Sequence, residues 1–360
     1  MMSRRVLIAG GGTGGHLYPG IAIARELQRR DASTVITFVG TDAGIESRVV
    51  PREGFVLDTI RSAGLKGKAL VAFVRGLLTL PLSAIDAWRV LSARRPSVVV
   101  GVGGYSSGPV LALAALRRMP TLLLEQNARP GLTNRLLAPV VQAAAVNFAE
   151  ALRFFPRVGF VAGNPVRESF FHAPPAPDVN GTQVHVLVFG GSQGAQAINR
   201  AVVDAVPLLA ASGVPLQVTH QTGARDQAEV AAGYAQTALD VRVEAFLYDM
   251  DQAMRDADLV VCRAGATTLS ELAASGRAAI LVPLPTATDD HQRKNAEAFA
   301  RDGAAVVIEQ ATLTGARMAE AVLALATDAP RRAAMGARAR TLAHADAASR
   351  IADQVVALAG

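Results

Sequence analysis

The chain has 360 residues, 51% of them hydrophobic and 18% charged, with 32 glycines, few aromatics and one cysteine. That length favours two domains over one, the apolar content excludes a disordered chain, and the lone Cys262 excludes an intramolecular disulfide framework and fits a reducing cytoplasm. The net charge of +6 is lopsided, with 20 Lys/Arg against 9 Asp/Glu in residues 1–162 and 16 against 21 thereafter, so the first half is expected to face something anionic, phospholipid or nucleic acid.

No secretory leader opens the sequence: Arg4 and Arg5 precede Val6-Leu7-Ile8-Ala9, but that apolar run ends at once in glycines. Residues 5–9 read as a short buried strand, and a helical spacing of apolar residues (Ile21, Ile23, Ala24, Leu27) begins at Pro19. Further strands are predicted at 34–39, 97–102 and 121–125. The apolar stretch 76–85 is broken by Pro81 and is far shorter than the ~20 residues that span a bilayer. The second half restarts the pattern with a strand at 184–189, a glycine-rich turn and a helix from near Gln196. Strands then follow at 216–219, 241–246, 259–262, 279–282 and 305–308, with Cys262 reading as a small core residue. Residues 172–181, with three prolines and a terminal Asn-Gly, read as a linker, and 330–360 as Ala/Arg-rich helix. Buried strands alternating with helices indicate parallel βαβ units. The expected fold is α/β, two Rossmann-like domains facing across a cleft, with ligands outside the carboxyl ends of the strands.

Glycine-rich turns fall where such ligands belong. Residues 10–16, GGGTGGH, match the G-x-G-x-x-G dinucleotide signature, and Asp42 stands where a nicotinamide cofactor wants an acid, so a dehydrogenase stays open. That reading leaves unexplained the second glycine turn, 190–195, because backbone N–H groups at a helix start suit a phosphate in either half. A third glycine segment, 101–109, follows a strand, and Glu125-Gln126-Asn127 ends another. In 262–271, CRAGATTLSE, small residues admit a ligand and hydroxyls can cap the helix, while Glu271 is suited to a ribose diol or to a dipole-complementing structural role. Residues 289–295 place polar side chains at another helix start. Two D-x-D strings, Asp249/Asp251 and Asp256/Asp258, read as solvated charges of a short polar helix rather than as metal ligands, and no histidine pair has zinc spacing.

Taken in order, GGTGGH (11–16), GGYSSGP (103–109), LEQNARPGLTN (124–134), GNPVR (163–167), FGGSQGA (189–195), CRAGATTLSE (262–271) and DDHQRKNA (289–296) resemble the MurG family of N-acetylglucosaminyltransferases. The resemblance implies a GT-B fold and an inverting transfer of N-acetylglucosamine from UDP-N-acetylglucosamine to the muramoyl 4-hydroxyl of an undecaprenyl-linked muramoyl-pentapeptide, in peptidoglycan synthesis. It implies no cofactor, no protein-bound metal, and a peripheral position on the cytoplasmic face of the inner membrane. Residues 1–165 would form the acceptor- and membrane-side domain and 166–342 the UDP-sugar domain, with a helix at 343–360 packing back on the first. Thr13, Gly14 and Gly15 would face donor sugar and acceptor diphosphate, and Gly104 and Tyr105 would lie on the acceptor side. His16 is the implied general base, with Glu125 the rival and a purely structural histidine the bland alternative. Asn127 and Arg167 match positions on the UDP-sugar, Ser192 and Gln193 the donor diphosphate turn, and Leu247 the uracil neighbour. Ala266, Thr267, Thr268, Leu269, Ser270 and Glu271 match the uridine and ribose segment, with Glu271 on the ribose. His291 and Gln292 match the sugar-reading pair; Ala264 replaces a serine common there.

Residues 61–95 carry seven Lys/Arg (Arg61, Lys66, Lys68, Arg75, Arg89, Arg94, Arg95) against one acid, Asp86, interleaved with apolar residues from Leu65 to Trp88. Such a segment suits an anionic membrane interface, although packing on the sheet accounts for many of its apolar residues. Nucleic acid is disfavoured because stacking aromatics are few. A UDP-N-acetylglucosamine 2-epimerase and a non-catalytic UDP-sugar sensor are the competing classes beside the dehydrogenase.

Overall fold

The computed structural model describes residues 4–62, 70–172, 183–191, 193–235 and 237–360, and of residues 70–80 the backbone alone. Two compact units emerge: Met1–Val166 with His344–Gly360, and Arg167–Ala343. In the first unit lie strands β1 (Arg5–Gly10), β2 (Val35–Gly40), β3 (Val56–Thr59), β4 (Val98–Gly103), β5 (Thr121–Glu125), β6 (Ala143–Val146) and β7 (Gly159–Val161). All pair in parallel, in the order β3-β2-β1-β4-β5-β6-β7. Its helices are α1 (Gly14–Arg30), α2 (Glu46–Arg52), α3 (Leu70–Arg94), α4 (Ser107–Leu116) and α5 (Leu132–Leu137). The second unit holds β8 (Val184–Phe189), β9 (Leu216–Gln221), β10 (Asp240–Glu244), β11 (Leu259–Cys262), β12 (Ala278–Leu281) and β13 (Ala305–Val307), parallel in the order β10-β9-β8-β11-β12-β13. Its helices are α6 (Gln196–Ala211), α7 (Gln227–Tyr234), α8 (Met250–Asp256), α9 (Ala266–Ser275), α10 (His291–Arg301), α11 (Gly315–Ala326) and α12 (Ala329–Thr341). The last helix, α13 (Ala347–Ala359), belongs to the first unit.

Central strands such as Val98-Val99-Val100 are apolar on both faces because helices cover both sides. On one face of the first sheet, Val6, Ile8, Ile36 and Phe38 pack with α1 and with Ile351, Ala352 and Val355 of α13. Arg30 ties these two helices together, donating to Asp353 (2.5 Å) and to the Ser349 hydroxyl (2.6 Å). On the other face Leu7, Ala9, Val39 and Val99 meet Ala87 and Leu91 of α3 and Val110 and Leu111 of α4.

Several local expectations change. Helix α1 begins at Gly14, five residues before Pro19, because two glycines and a histidine conceal its first turn from any propensity argument. Helix α3 continues through Pro81 rather than breaking there. Strands β3, β6 and β7 escape the pattern: β3 is a half-exposed edge, β6 is Ala143-Ala144-Ala145-Val146, and β7 has three residues. The predicted linker, beyond His172, lies outside the described residues.

Both sheets wind outward from an interior strand, so each has one switch point, between β1 and β4 in the first and between β8 and β11 in the second. Chains leaving two such neighbouring strands diverge and open a crevice at the carboxyl ends. The glycine-rich turns after β1, β4 and β8 and the 263–265 turn after β11 are the segments that leave these four strands.

Behind β9 a buried polar network joins the sheet to α6 and α7. His220 bonds through Nδ1 to the Tyr234 hydroxyl and through Nε2 to Asn199 Oδ1, each at 3.1 Å, and Asn199 donates to Asp226 (2.9 Å). Burial lowers the His220 imidazole from 6.5 to about 4, so the unfolded chain binds a proton that the folded one rejects between those values. Stability should therefore be complete above pH 6.5 and fall by about 3 kcal/mol as pH drops toward 4. Chemical denaturation at pH 7.5 and 4.5 checks this; His220→Asn should flatten that part of the pH dependence.

Candidate active site

At the first switch point the turns after β1 and β4 are pressed backbone to backbone. The Gly11 N–H donates to the Gly103 carbonyl (3.3 Å). A Cβ on Gly104 would stand 2.3 Å from the Gly11 carbonyl, and one on Gly103 2.6 Å from Cδ2 of His16; both glycines have φ in the left-handed region, +83° and +96°. Only glycine permits that approach. The predicted residues Thr13, Gly14, Gly15 and His16 thus form the N-cap and first turn of α1, not a free loop, with the imidazole wedged beside the β4 turn. His16 Nδ1 lies 3.1 Å from the Thr13 hydroxyl, a contact that fixes ring orientation. Gly104 and Tyr105 border the same turn; Tyr105 is 62% exposed and its carbonyl accepts from the Ser62 hydroxyl (2.8 Å).

Glu125 is buried and fully engaged. Its Oε1 accepts from the Asn127 N–H (2.9 Å) and Nδ2 (3.1 Å), its Oε2 from Asn134 Nδ2 (2.8 Å) and the Gly131 N–H (3.2 Å). Burial raises its carboxyl above the ordinary range against the pull of these donors. A carboxylate committed to four donors organises the 127–134 turn, which places Asn127, and is poorly arranged to receive a substrate proton.

Sequence reasoning missed Glu46. The first residue of α2, it is 1% exposed, and its Oε2 accepts from the Gly12 N–H (2.7 Å) while Oε1 accepts from the Thr41 N–H (2.8 Å) and hydroxyl (2.9 Å). One N–H of the glycine turn is therefore already answered by an acidic group. This argues against a dinucleotide pyrophosphate there and against the dehydrogenase reading. A lone glutamate after a turn gives no sequence signal of this kind.

In the second unit, Gly190–Gly194 turns into α6, with Gln193 exposed in it; Ser192 lies outside the described residues. Leu247 is buried at 8%, flanked by the exposed Phe246 and Tyr248, whose rings meet edge to face at 4.9 Å. Helix α9 is capped by the Gly265 backbone and not by a hydroxyl: Ser270 Oγ instead donates to the Ala266 carbonyl (3.0 Å). Thr267, Thr268 and Ser270 are half-buried, whereas the side chains of Ala266 and Leu269 point into the core, so only their backbones can meet a ligand. Burial lifts the Glu271 carboxyl to about 7, with Arg167 opposing and Asp251 adding to the rise. Arg167 lies 3.8 Å from Asp251 and 5.1 Å above the Phe170 ring. Asp251 also pairs with Arg255 (3.2 Å), which donates to the Ser169 carbonyl (3.0 Å). Of the D-x-D acids, Asp249 and Asp256 are exposed as expected, whereas Asp251 is tied into the Arg167 segment and Asp258 accepts from the His185 N–H (2.8 Å). Among the described residues, no group of three or more His, Cys, Asp or Glu is placed to hold a metal ion. His291 and Gln292 open α10, the first bonded to the Thr288 carbonyl (2.6 Å), the second accepting from the Leu284 N–H (3.0 Å). Asp289 and Asp290 just before them are both left-handed, a strain of the sort that collects at functional turns.

Two doubly wound units, each with glycine-rich turns at its switch point and the second with a half-buried carboxylate in the field of an arginine, define a nucleotide-sugar glycosyltransferase of the GT-B class. Residues 6–146 match the N-terminal domain of glycosyltransferase family 28 and residues 185–351 its C-terminal domain; the chain belongs to this family. It is 47% identical over 350 residues to an Anaeromyxobacter sp. (strain Fw109-5) protein named UDP-N-acetylglucosamine--N-acetylmuramyl-(pentapeptide) pyrophosphoryl-undecaprenol N-acetylglucosamine transferase, covering 97% of this chain and 92% of the relative. A Myxococcus xanthus protein of the same name is 45% identical, covering 98% and 93%. The crystal structure of Acinetobacter baumannii MurG superposes with a TM-score of 0.81 at 30% identity, covering 98% of this chain and 99% of that one. The calicheamicin glycosyltransferase CalG4, at 18% identity and a TM-score of 0.69 over 99% and 98%, shares the fold.

Because the Gly103 Cβ position is filled by the imidazole, Gly103→Ala should displace His16 and lower transferase turnover at least about 100-fold, the scale expected when a reacting group is misplaced by an ångström. Steady-state kinetics, with UDP binding unchanged as the control for an intact second unit, checks this.

Proposed function

We propose that this enzyme transfers N-acetylglucosamine from UDP-N-acetylglucosamine to the muramoyl 4-hydroxyl of the undecaprenyl-linked muramoyl-pentapeptide, releasing UDP and inverting the anomeric centre. The observation that carries the reading is kinship of 45–47% over nearly the whole chain with transferases bearing that name. The second unit takes the donor: Glu271 accepts from the ribose diol, Leu247 lies beside the base, and Arg167 with the Gly190–Gly194 turn and the start of α6 faces the diphosphate. His291 and Gln292 read the sugar. The first unit takes the acceptor along the α1 and α4 turns, with Thr13, Gly14, Gly15, Gly104 and Tyr105 around it.

As the acceptor hydroxyl attacks the anomeric carbon, its proton passes to His16, whose ring is oriented by its contact with Thr13. Negative charge grows on the departing UDP. Backbone N–H groups, the α6 dipole and Arg167 are fixed before the reaction starts and stabilise that charge without reorganising. Glu125 holds the 127–134 turn in place.

A lipid-linked acceptor requires a membrane position, and no helix among the described residues is long and apolar enough to cross one. The enzyme binds the cytoplasmic face peripherally and takes no nucleic acid. Leu82, Ile85 and Trp88 on α3 are 39%, 46% and 53% exposed, and the Arg117 guanidinium covers the Trp88 ring at 4.6 Å. Apolar side chains among cations suit an anionic interface. Lys66, Lys68 and Leu65 lie outside the described residues.

Transfer of labelled N-acetylglucosamine from the UDP donor to a short-chain analogue of the lipid acceptor tests the reading. Labelled disaccharide-lipid is expected, formed faster on anionic than on neutral vesicles. Glu271→Ala should weaken UDP binding about 10–100-fold, the equivalent of the 1.5–3 kcal/mol of charged hydrogen bonds lost. Free sugar as the product would indicate an epimerase, and UDP binding without turnover a sensor.

A further inference from the structure

The carboxylate of Glu46 has no place in the chemistry above, yet the first switch point is built around it. It is 1% exposed and makes no ion pair among those of the described residues. A Cβ on Gly11 would stand 2.4 Å from its Cδ, one on Gly40 2.4 Å from its Cγ, and one on Gly44 2.1 Å from its Oε2. Three glycines on two turns thus leave the space this side chain fills. Its two oxygens divide the work: Oε1 takes both donors of Thr41 at the end of β2, and Oε2 takes the single Gly12 N–H of the β1 turn. Gly12 lies in that turn between Gly11, which is bonded to the β4 turn, and Thr13, which touches His16.

Burying a carboxylate is costly unless donors answer it, and here they are backbone and hydroxyl donors of the β1 and β2 turns. Glutamine has nearly the same shape but keeps only one acceptor atom. Whichever way its amide is turned, an NH2 group faces either the Gly12 N–H or the two Thr41 donors. One of the two turns then loses a partner that the carboxylate supplies to both.

We propose that Glu46 is a positioning residue for the acceptor half of the reaction, holding Gly12 so that Thr13 and His16 keep their place beside the β4 turn. The proposal rests on the transferase reading and concerns turnover rather than UDP affinity, since the groups proposed for the UDP moiety lie in the second unit. Glu46 touches no reacting atom and acts through His16.

The test compares wild type, Glu46→Gln and Thr41→Val in the full-length enzyme, measuring kcat, KM for the acceptor analogue, UDP affinity by calorimetry and the thermal midpoint. Glu46→Gln is expected to lower kcat about 10–100-fold with UDP affinity within about twofold of wild type. Thr41→Val removes one donor and leaves the Gly12 bond; it is expected to lower kcat about three- to tenfold with UDP affinity again unchanged. A Glu46→Gln kcat within about twofold of wild type overturns the proposal. So does a loss shared equally by kcat and UDP affinity, which marks general damage to the fold. Should Glu46→Gln fail to fold, Thr41→Val decides: a fall in its kcat alone supports the proposal and an unchanged kcat overturns it. Absence of transfer by wild type would instead count against the transferase reading.

Discussion

The first unit depends on how closely two turns can approach at the ends of adjacent parallel strands. Strands β1 and β4 are neighbours whose chains leave in opposite directions, and the crevice between them is only as deep as their turns allow. Glycine at 103 and 104 lets the β4 turn touch the Gly11 backbone and leaves room for one imidazole edge. A Cβ at 104 would collide with the Gly11 carbonyl and one at 103 with the imidazole. The fold supplies the crevice by topology, and these residues set its dimensions.

Both buried carboxylates of this unit have the same physical task. Glu46 gathers donors from the β1 and β2 turns, and Glu125 gathers four from the turn after β5. Neither is arranged as a reactive acid; each replaces water as the partner of backbone N–H groups that would otherwise be unsatisfied near a ligand. The second unit handles its acid differently. Glu271 has Arg167 and Asp251 nearby and a carboxyl raised to about 7, the setting of an acid that can still take up or release a proton. Fixed acids shape the turns of the first unit, and an adaptable one stands on α9 of the second.

Much of this was legible in the amino-acid sequence, for identifiable reasons. Runs such as Val98-Val99-Val100 and Leu259-Val260-Val261 can only be covered strands, and a glycine-rich turn after each first strand marks a doubly wound unit. The start of α1 was hidden because glycine and histidine are weak helix formers, and β6 because three alanines look helical. Asp251 and Asp258 seemed solvated like Asp249 and Asp256 because their partners, Arg167 and the His185 N–H, come from distant segments. Glu46 was invisible for the same reason: its importance lies in Gly11, Gly40 and Gly44, which only the folded chain brings around it. The division of side chains in 266–271 between core and crevice needed the helical phase of α9, which motif matching ignores.

In the proposed reaction these packed turns seat His16 against the acceptor. Single-turnover transfer from bound UDP-N-acetylglucosamine by His16→Ala tests it most directly. A rate at least about 100-fold below wild type is expected, the range of a lost general base, with donor affinity unchanged. A rate within about threefold of wild type would contradict it and leave the histidine a structural wedge.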